Sequence, residues 1–131
     1  MIRKSAQENT LVKSAYKAMK HSHSPHSKFK VGAALLSSKG NIYIGTNIEF
    51  DAYSLTVCAE RSALFSAISN GEKSFVKIAI ATNSKKFKFP CGLCRQALIE
   101  FNPDMEIILL NNNKKSRKII LKELLPEYFK L

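Results

Sequence analysis

All three cysteines of this 131-residue chain fall in two short stretches, Cys58-Ala59-Glu60 and Pro90-Cys91-Gly92-Leu93-Cys94. A Cys-x-x-Cys pair alone serves structural zinc sites and redox motifs equally well. Cys-x-Glu has no meaning without a metal. Together they offer three soft ligands, a carboxylate free to stay outside the ligand set, and one coordination position left for water. Zn²⁺ held that way can acidify a water beside a proton shuttle. Three cysteines cannot pair evenly, and two of them lie three apart on an expected helix. A disulfide framework is therefore a poor reading, and a reduced, cytoplasmic location is expected.

The elements that must place these residues follow from periodicity. Leu11, Val12, Ala15, Tyr16 and Met19 share one face of a helix spanning about residues 6 to 20. The stretch His21-Ser22-His23-Ser24-Pro25-His26-Ser27 breaks it and reads as loop. Phe29 to Leu36 is an apolar strand, Gly40-Asn41 a turn, and Ile42 to Ile44 the returning strand. A helix from about Val57 to Asn70 ends with Gly71 in the C′ position. Val76 to Ala81 is a buried strand. Pro90 opens a second helix, from Cys91 to about Phe101, which Asn102-Pro103 ends. Ile107 to Leu110 and Arg117 to Ile120 are strands about a turn at residues 111 to 115, and Glu123-Leu124-Leu125 is a helical turn. The order α-β-β-α-β-α-β-β implies a single domain over residues 1–131, with a mixed sheet and helices on its faces.

On this layout both cysteine motifs sit at helix N-termini, whose free N–H groups and dipoles favour thiolate. Cys91 and Cys94, three apart, share a helical face and can hold one ion. Glu60 points elsewhere around its helix, towards a water rather than into the ligand set. Zinc with three thiolates carries net negative charge, which blunts its acidifying power. Arg61 and Arg95 are the nearby cations able to offset it, and Arg61 is the first choice for hydrogen bonding to the sulfurs. The competing reading is a structural zinc clip with His21, His23 or His26 as fourth ligand.

Net charge is +11, from 21 Lys and Arg against 10 Asp and Glu. Such a balance suits acidic partners, but the lysines are scattered along the chain. The short clusters Lys85-Lys86-Lys88 and Lys114-Lys115 read as solvated loops, so nucleic acid is not expected as a partner. No apolar run approaches the roughly 18 residues of a membrane span. The start, Met1-Ile2-Arg3-Lys4-Ser5, runs into a polar helical stretch and does not read as a signal peptide.

Cys58-Ala59-Glu60-Arg61 and Pro90-Cys91-Gly92-Leu93-Cys94-Arg95-Gln96 resemble the small, all-cysteine, zinc-dependent cytidine deaminases. The resemblance continues in Phe29-Lys30-Val31-Gly32-Ala33-Ala34-Leu35, in Asn47-Ile48-Glu49, and in Glu123-Leu124-Leu125-Pro126 with Phe129. It implies a three-layer α/β/α sandwich with a mixed five-stranded sheet. It also implies hydrolysis of cytidine and deoxycytidine to uridine and deoxyuridine in pyrimidine salvage, by a homotetramer with shared active sites. Glu60 would carry protons, and Cys58, Cys91 and Cys94 would bind zinc. Phe29 would pack on the nucleoside, Asn47 and Glu49 would hold a sugar hydroxyl, Ala59 would line the substrate, and Phe129 would close a neighbour's pocket. The chain departs from the family at Phe50-Asp51, where Asn-Ala is usual, and at Lys30, where Pro is common.

Other readings of the metal motifs have discriminating features. A blasticidin-type antibiotic deaminase shares the metal motifs, but Asn47-Ile48-Glu49 favours a nucleoside. A deaminase of nucleic acid would suit the charge, yet the chain has no insertion long enough for a strand channel. A non-enzymatic zinc module would keep the cysteines and have no use for Glu60.

Overall fold

A computed structural model describes residues 2–131, with side chains from Ala6 onward. Met1, the first residue of the stretch read as free of a signal peptide, lies outside them. The elements are α1 (Ile2–Met19), β1 (Val31–Ser37), β2 (Ile42–Thr46), α2 (Ala59–Ser69), β3 (Phe75–Thr82), α3 (Gly92–Ile99), β4 (Glu106–Leu110) and β5 (Ser116–Ile120). Short 3-10 turns cover Tyr53–Leu55 and Leu121–Leu124. The five strands form one sheet in the order β2-β1-β3-β4-β5. Only the β3–β4 pair is parallel, joined through α3 as a crossover helix requires.

Two cores explain why β1 is buried along its whole length. Val31, Ala33 and Leu35 face one layer, with Ile78, Ile80, Ile107 and Leu109 from the other strands and Ala59, Ala63, Leu64 and Leu98 from α2 and α3. The alternate residues Ala34, Leu36, Ala79, Ala81, Ile108 and Leu110 face Leu11 and Ala15 of α1. Period-2 alternation in the strands thus feeds both faces of the sheet, and the result is the expected three-layer α/β/α sandwich.

Two glycines set how closely the helices approach. A Cβ on Gly32 would lie 2.2 Å from the Ala15 carbonyl oxygen, and one on Gly45 would lie 2.3 Å from the Ala63 nitrogen. Helices α1 and α2 therefore rest directly on strand backbone. Gly71, with φ of +90°, closes α2 as expected of a C′ glycine.

The register aligns the ends of the strands. Val31 pairs with Thr82, Ala81 with Leu110, and Leu110 with Ser116. Residues 28–30, 83–89 and 111–115 consequently all leave the sheet at one end. The strand expected from Phe29 begins at Val31, because Phe29 and Lys30 bend away to hydrogen-bond the Asn47 and Asn83 side chains instead of a strand. The helices expected from Val57 and Cys91 begin at Ala59 and Gly92, with Cys58 and Cys91 as extended N-cap residues.

Candidate active site

These shifts, two residues for α2 and one for α3, matter chemically. As N-caps, Cys58 and Cys91 have φ/ψ of −76°/155° and −67°/168°, and neither side chain caps its own helix. Both thiols are thereby free to turn towards each other, while the first N–H groups of α2 and α3 point into the same region. Cys94, one turn into α3, is fully buried.

The three Sγ atoms lie within 4.8 Å of one another. Cys58 Sγ is 3.6 Å from Cys91 Sγ, which is 3.5 Å from Cys94 Sγ. No disulfide links them. Among the described residues this is the group able to hold a metal, and it contains no histidine. A soft, all-sulfur triad of this kind fits zinc. Three protein ligands also suit a catalytic ion, which keeps a position open, better than a closed four-ligand clip.

The charges around the sulfurs support the same fit. Cys58 is held down to about 5, first by the hydrogen bond from the Cys94 thiol and then by Arg61 and Cys91. Cys94 is pushed the opposite way, above the usual thiol range, by that shared hydrogen bond and by burial. Arg61 Nη2 donates to Cys58 Sγ at 3.7 Å, and this contact raises the guanidinium further above its ordinary value. Arg95 does something else. Its Nε donates to the Pro90 carbonyl at 2.7 Å and its Nη1 to the Leu124 carbonyl at 2.8 Å, tying the segment before Cys91 to the C-terminal turn.

A cavity of about 170 Å³ opens beside the cysteines. Phe29, Asn47, Cys58, Ala59, Glu60 and Cys91 line it together, from loops and helix starts widely separated in sequence. Glu60 is 5% exposed. Burial, reinforced by repulsion from Cys58, raises its carboxyl to about 7, with its own backbone N–H and Arg61 pulling the other way. A carboxyl poised there can both take and give a proton near neutral pH.

Asn47 holds the cavity wall as well as lining it. Its Oδ1 accepts from the Val31 N–H at 3.0 Å and from the Ser22 hydroxyl, and its Nδ2 donates to the Phe29 carbonyl at 2.7 Å. Glu49 sits next door rather than inside. It accepts from the backbone N–H groups of His26 (2.9 Å) and Ser27 (3.1 Å) and from the Ser27 hydroxyl, which keep its carboxyl below the usual range. A shallow depression formed by His26, Glu49, Tyr53 and Thr56 adjoins the cavity through Thr56. Phe129 lies away from its own chain's cavity and is 64% exposed, with its carbonyl accepting from Gln96.

Sequence reasoning missed two contributions. The histidine-bearing stretch after α1 is scaffold: His23 bridges Ile48 in parallel fashion, and Ile48 bridges Val57. Those contacts fix the segment from Asn47 to Cys58. Lys88 and Phe89 also line the cavity. Their positions, three and two residues before Cys91, were the available signal.

Fold, cysteine triad and buried carboxylate together define a zinc-site deaminase domain. Residues 5–110 match the family described as the cytidine and deoxycytidylate deaminase zinc-binding region, and the chain belongs to that family. It is 43% identical to the cytidine deaminase of Sporosarcina psychrophila, over 91% of this chain and 88% of that one. It is 41% identical to a probable cytidine deaminase of Dictyostelium discoideum, over 90% and 80% of the two chains. The crystal structure of cytidine deaminase from Burkholderia pseudomallei matches with a TM-score of 0.88 and 39% identity, covering 92% of this chain and 98% of that one.

Proposed function

We propose that the chain, as a single domain, hydrolyses cytidine and deoxycytidine to uridine and deoxyuridine with release of ammonia. This step would serve pyrimidine salvage in the cytoplasm. The observation that carries the reading is Glu60: a buried carboxyl raised to about 7 in a cavity whose wall includes two of the three clustered cysteines.

Cys58, Cys91 and Cys94 would hold zinc. The chemistry such an ion would supply is a water activated for attack at C4 of the base. Glu60 would accept one proton from that water and deliver it to ring N3. It would then take the remaining proton from the hydroxyl now on C4 and pass it to the amine, which leaves as ammonia while the C4 carbonyl forms. One carboxyl can serve in each step because its raised pKa lets both protonation states be reached near neutral pH. Arg61 offsets the excess negative charge of the sulfurs through its contact with Cys58. Phe29 gives the base an apolar face, and Ala59, at the start of α2, closes the wall beside it. Asn47 has one amide hydrogen beyond its bond to Phe29, available to a sugar hydroxyl. Glu49 reaches the sugar from the rim.

A homotetramer would complete the site. Phe129 is exposed in its own chain and carries an apolar ring suited to a neighbour's cavity. Helix α2 also leaves Phe65 and Ile68 exposed, three apart on one face, as an association surface would.

The test is Glu60→Gln in the zinc-loaded protein. The amide keeps size and hydrogen-bonding reach but moves no proton, so cytidine turnover, followed by loss of ultraviolet absorbance, should fall by about 10²–10⁴-fold. Zinc content should stay at wild-type level. Near-normal turnover in this variant defeats the mechanism.

A further inference from the structure

The positive charge that looks scattered in sequence is gathered in space. Segments 28–30, 83–89 and 111–117 meet at one end of the sheet and are stitched together by asparagines. Asn83 accepts from the Lys30 N–H and donates to the Lys28 carbonyl, both at 3.0 Å. Asn111 Nδ2 donates to the Lys85 carbonyl at 3.0 Å, and the Asn112 N–H donates to the Ser84 carbonyl at 2.8 Å. These segments hold eight Lys and Arg and no Asp or Glu. All eight cations are exposed. Among the described residues, none of them takes part in an ion pair.

A neutral nucleoside has no use for such a surface. We propose that this end of the molecule binds the backbone of a single-stranded nucleic acid, laid along these three segments beside the cavity. Charge complementarity selects a polyanion. The aromatic content selects a strand with unpaired bases. Phe89 is 38% exposed at the cavity edge, and the Arg117 guanidinium carbon lies 5.2 Å from its ring centroid. An aromatic and a guanidinium stacked among lysines form a platform for unpaired bases. Duplex readout calls for a helix or strand pair entering a groove, whereas α1 offers this end only its last turn. An anionic bilayer calls for several apolar side chains among the cations. Within the three basic segments, Phe89 is the one exposed large apolar side chain.

The proposal does not depend on nucleoside turnover and is tested apart from it. Anisotropy of a labelled oligothymidylate, which contains no cytosine, measures binding to the intact protein. Contact with about four phosphates at a slope of about −0.7 each predicts an affinity loss of about 50-fold between about 50 and 200 mM salt. The triple variant Lys85→Gln, Lys86→Gln, Lys115→Gln should weaken binding at least about tenfold. Lys39→Gln, Lys73→Gln, Lys122→Gln removes the same charge from other surfaces and should change binding less than about twofold. Cytidine turnover, measured beside both, should be unaffected. Undetectable binding at low salt, or equal weakening by the two triples, overturns the proposal. Equal affinity for a duplex, or for vesicles of phosphatidylcholine and phosphatidylserine, overturns the single-strand assignment.

Discussion

The two ends of the sheet treat polar groups in opposite ways. At the end where β1 starts and β3 stops, Cys58, Cys91 and a buried carboxyl line a cavity, with Cys94 buried behind them and a crowd of cations without ion-pair partners alongside. At the other end, the buried charges are matched. Lys77, only 8% exposed, lies 3.5 Å from Glu8 and 3.3 Å from Glu106, and Lys118 lies 2.9 Å from Glu8. Glu72, 5% exposed, accepts from Asn41 and Tyr43 at 2.8 and 2.9 Å. Folding favours the second arrangement, because a buried polar group without a partner costs free energy. The first persists where something outside the chain is to be bound. Unsatisfied chemistry therefore marks the working end more clearly than any cavity does.

The largest effect should come from breaking the sulfur triad. Cys91→Ala with Cys94→Ala leaves a single thiol, so metal analysis should find zinc lost and cytidine turnover abolished. Full zinc occupancy in that double variant would remove the ligand assignment. The fold should largely survive, because both helices keep their apolar contacts with the sheet.

Asn47 tests whether a residue at the working end can also be framework. Asn47→Asp keeps an acceptor for the Val31 N–H but loses the donor to Phe29 and sets a carboxylate against that carbonyl. We expect a loss of about 1–3 kcal/mol in stability, read by denaturant unfolding, together with a raised KM for cytidine. A raised KM with unchanged stability would make Asn47 a substrate contact alone.

The tail sharpens the comparison from outside the cavity. Removing Glu127 to Leu131 takes away Phe129 but no ligand and no cavity wall of the same chain. Zinc content should remain, KM should rise several-fold with a smaller change in kcat, and sedimentation should show a looser assembly after truncation. Full activity after truncation, or an intact protein that sediments as a monomer at full activity, refutes the shared site.

Much of this was legible in sequence for a physical reason: local chemistry and short-range periodicity set it. Cys58 with Arg61, and Cys91 with Cys94, read as two local neighbourhoods because helix geometry brings residues three apart together, while their union rested on metal chemistry and the family resemblance. Strand alternation and the Gly71 stop were readable in the same way. What stayed hidden depends on long-range register. Nothing local says that Lys28, Lys85 and Lys114 leave the sheet together, so they read as separate loops. Nor does anything local say that Arg95 faces the C-terminal turn while Arg61 faces sulfur. The His21–Ser27 stretch, polar and Pro-bearing, gave no sign that His23 would bridge Ile48.

The smallest effect belongs to the matched end. Glu8 is held below the ordinary carboxylate value chiefly by its hydrogen bond from Lys118, with Lys77 adding to the effect. A carboxyl depressed in the folded state stabilises the fold above its unfolded pKa. That contribution fades as pH falls through about 4.5 towards the lower folded value. Glu8→Gln should thus lower stability at pH 7 by about 0.2–1 kcal/mol, the range for partly exposed ion pairs. The gap between variant and wild type should close on acidification, when both side chains are neutral. Urea unfolding at neutral and at acid pH reads it directly. A gap that stays constant with pH would assign Glu8 to packing, and the matched end would then owe its stability to shape rather than to paired charge.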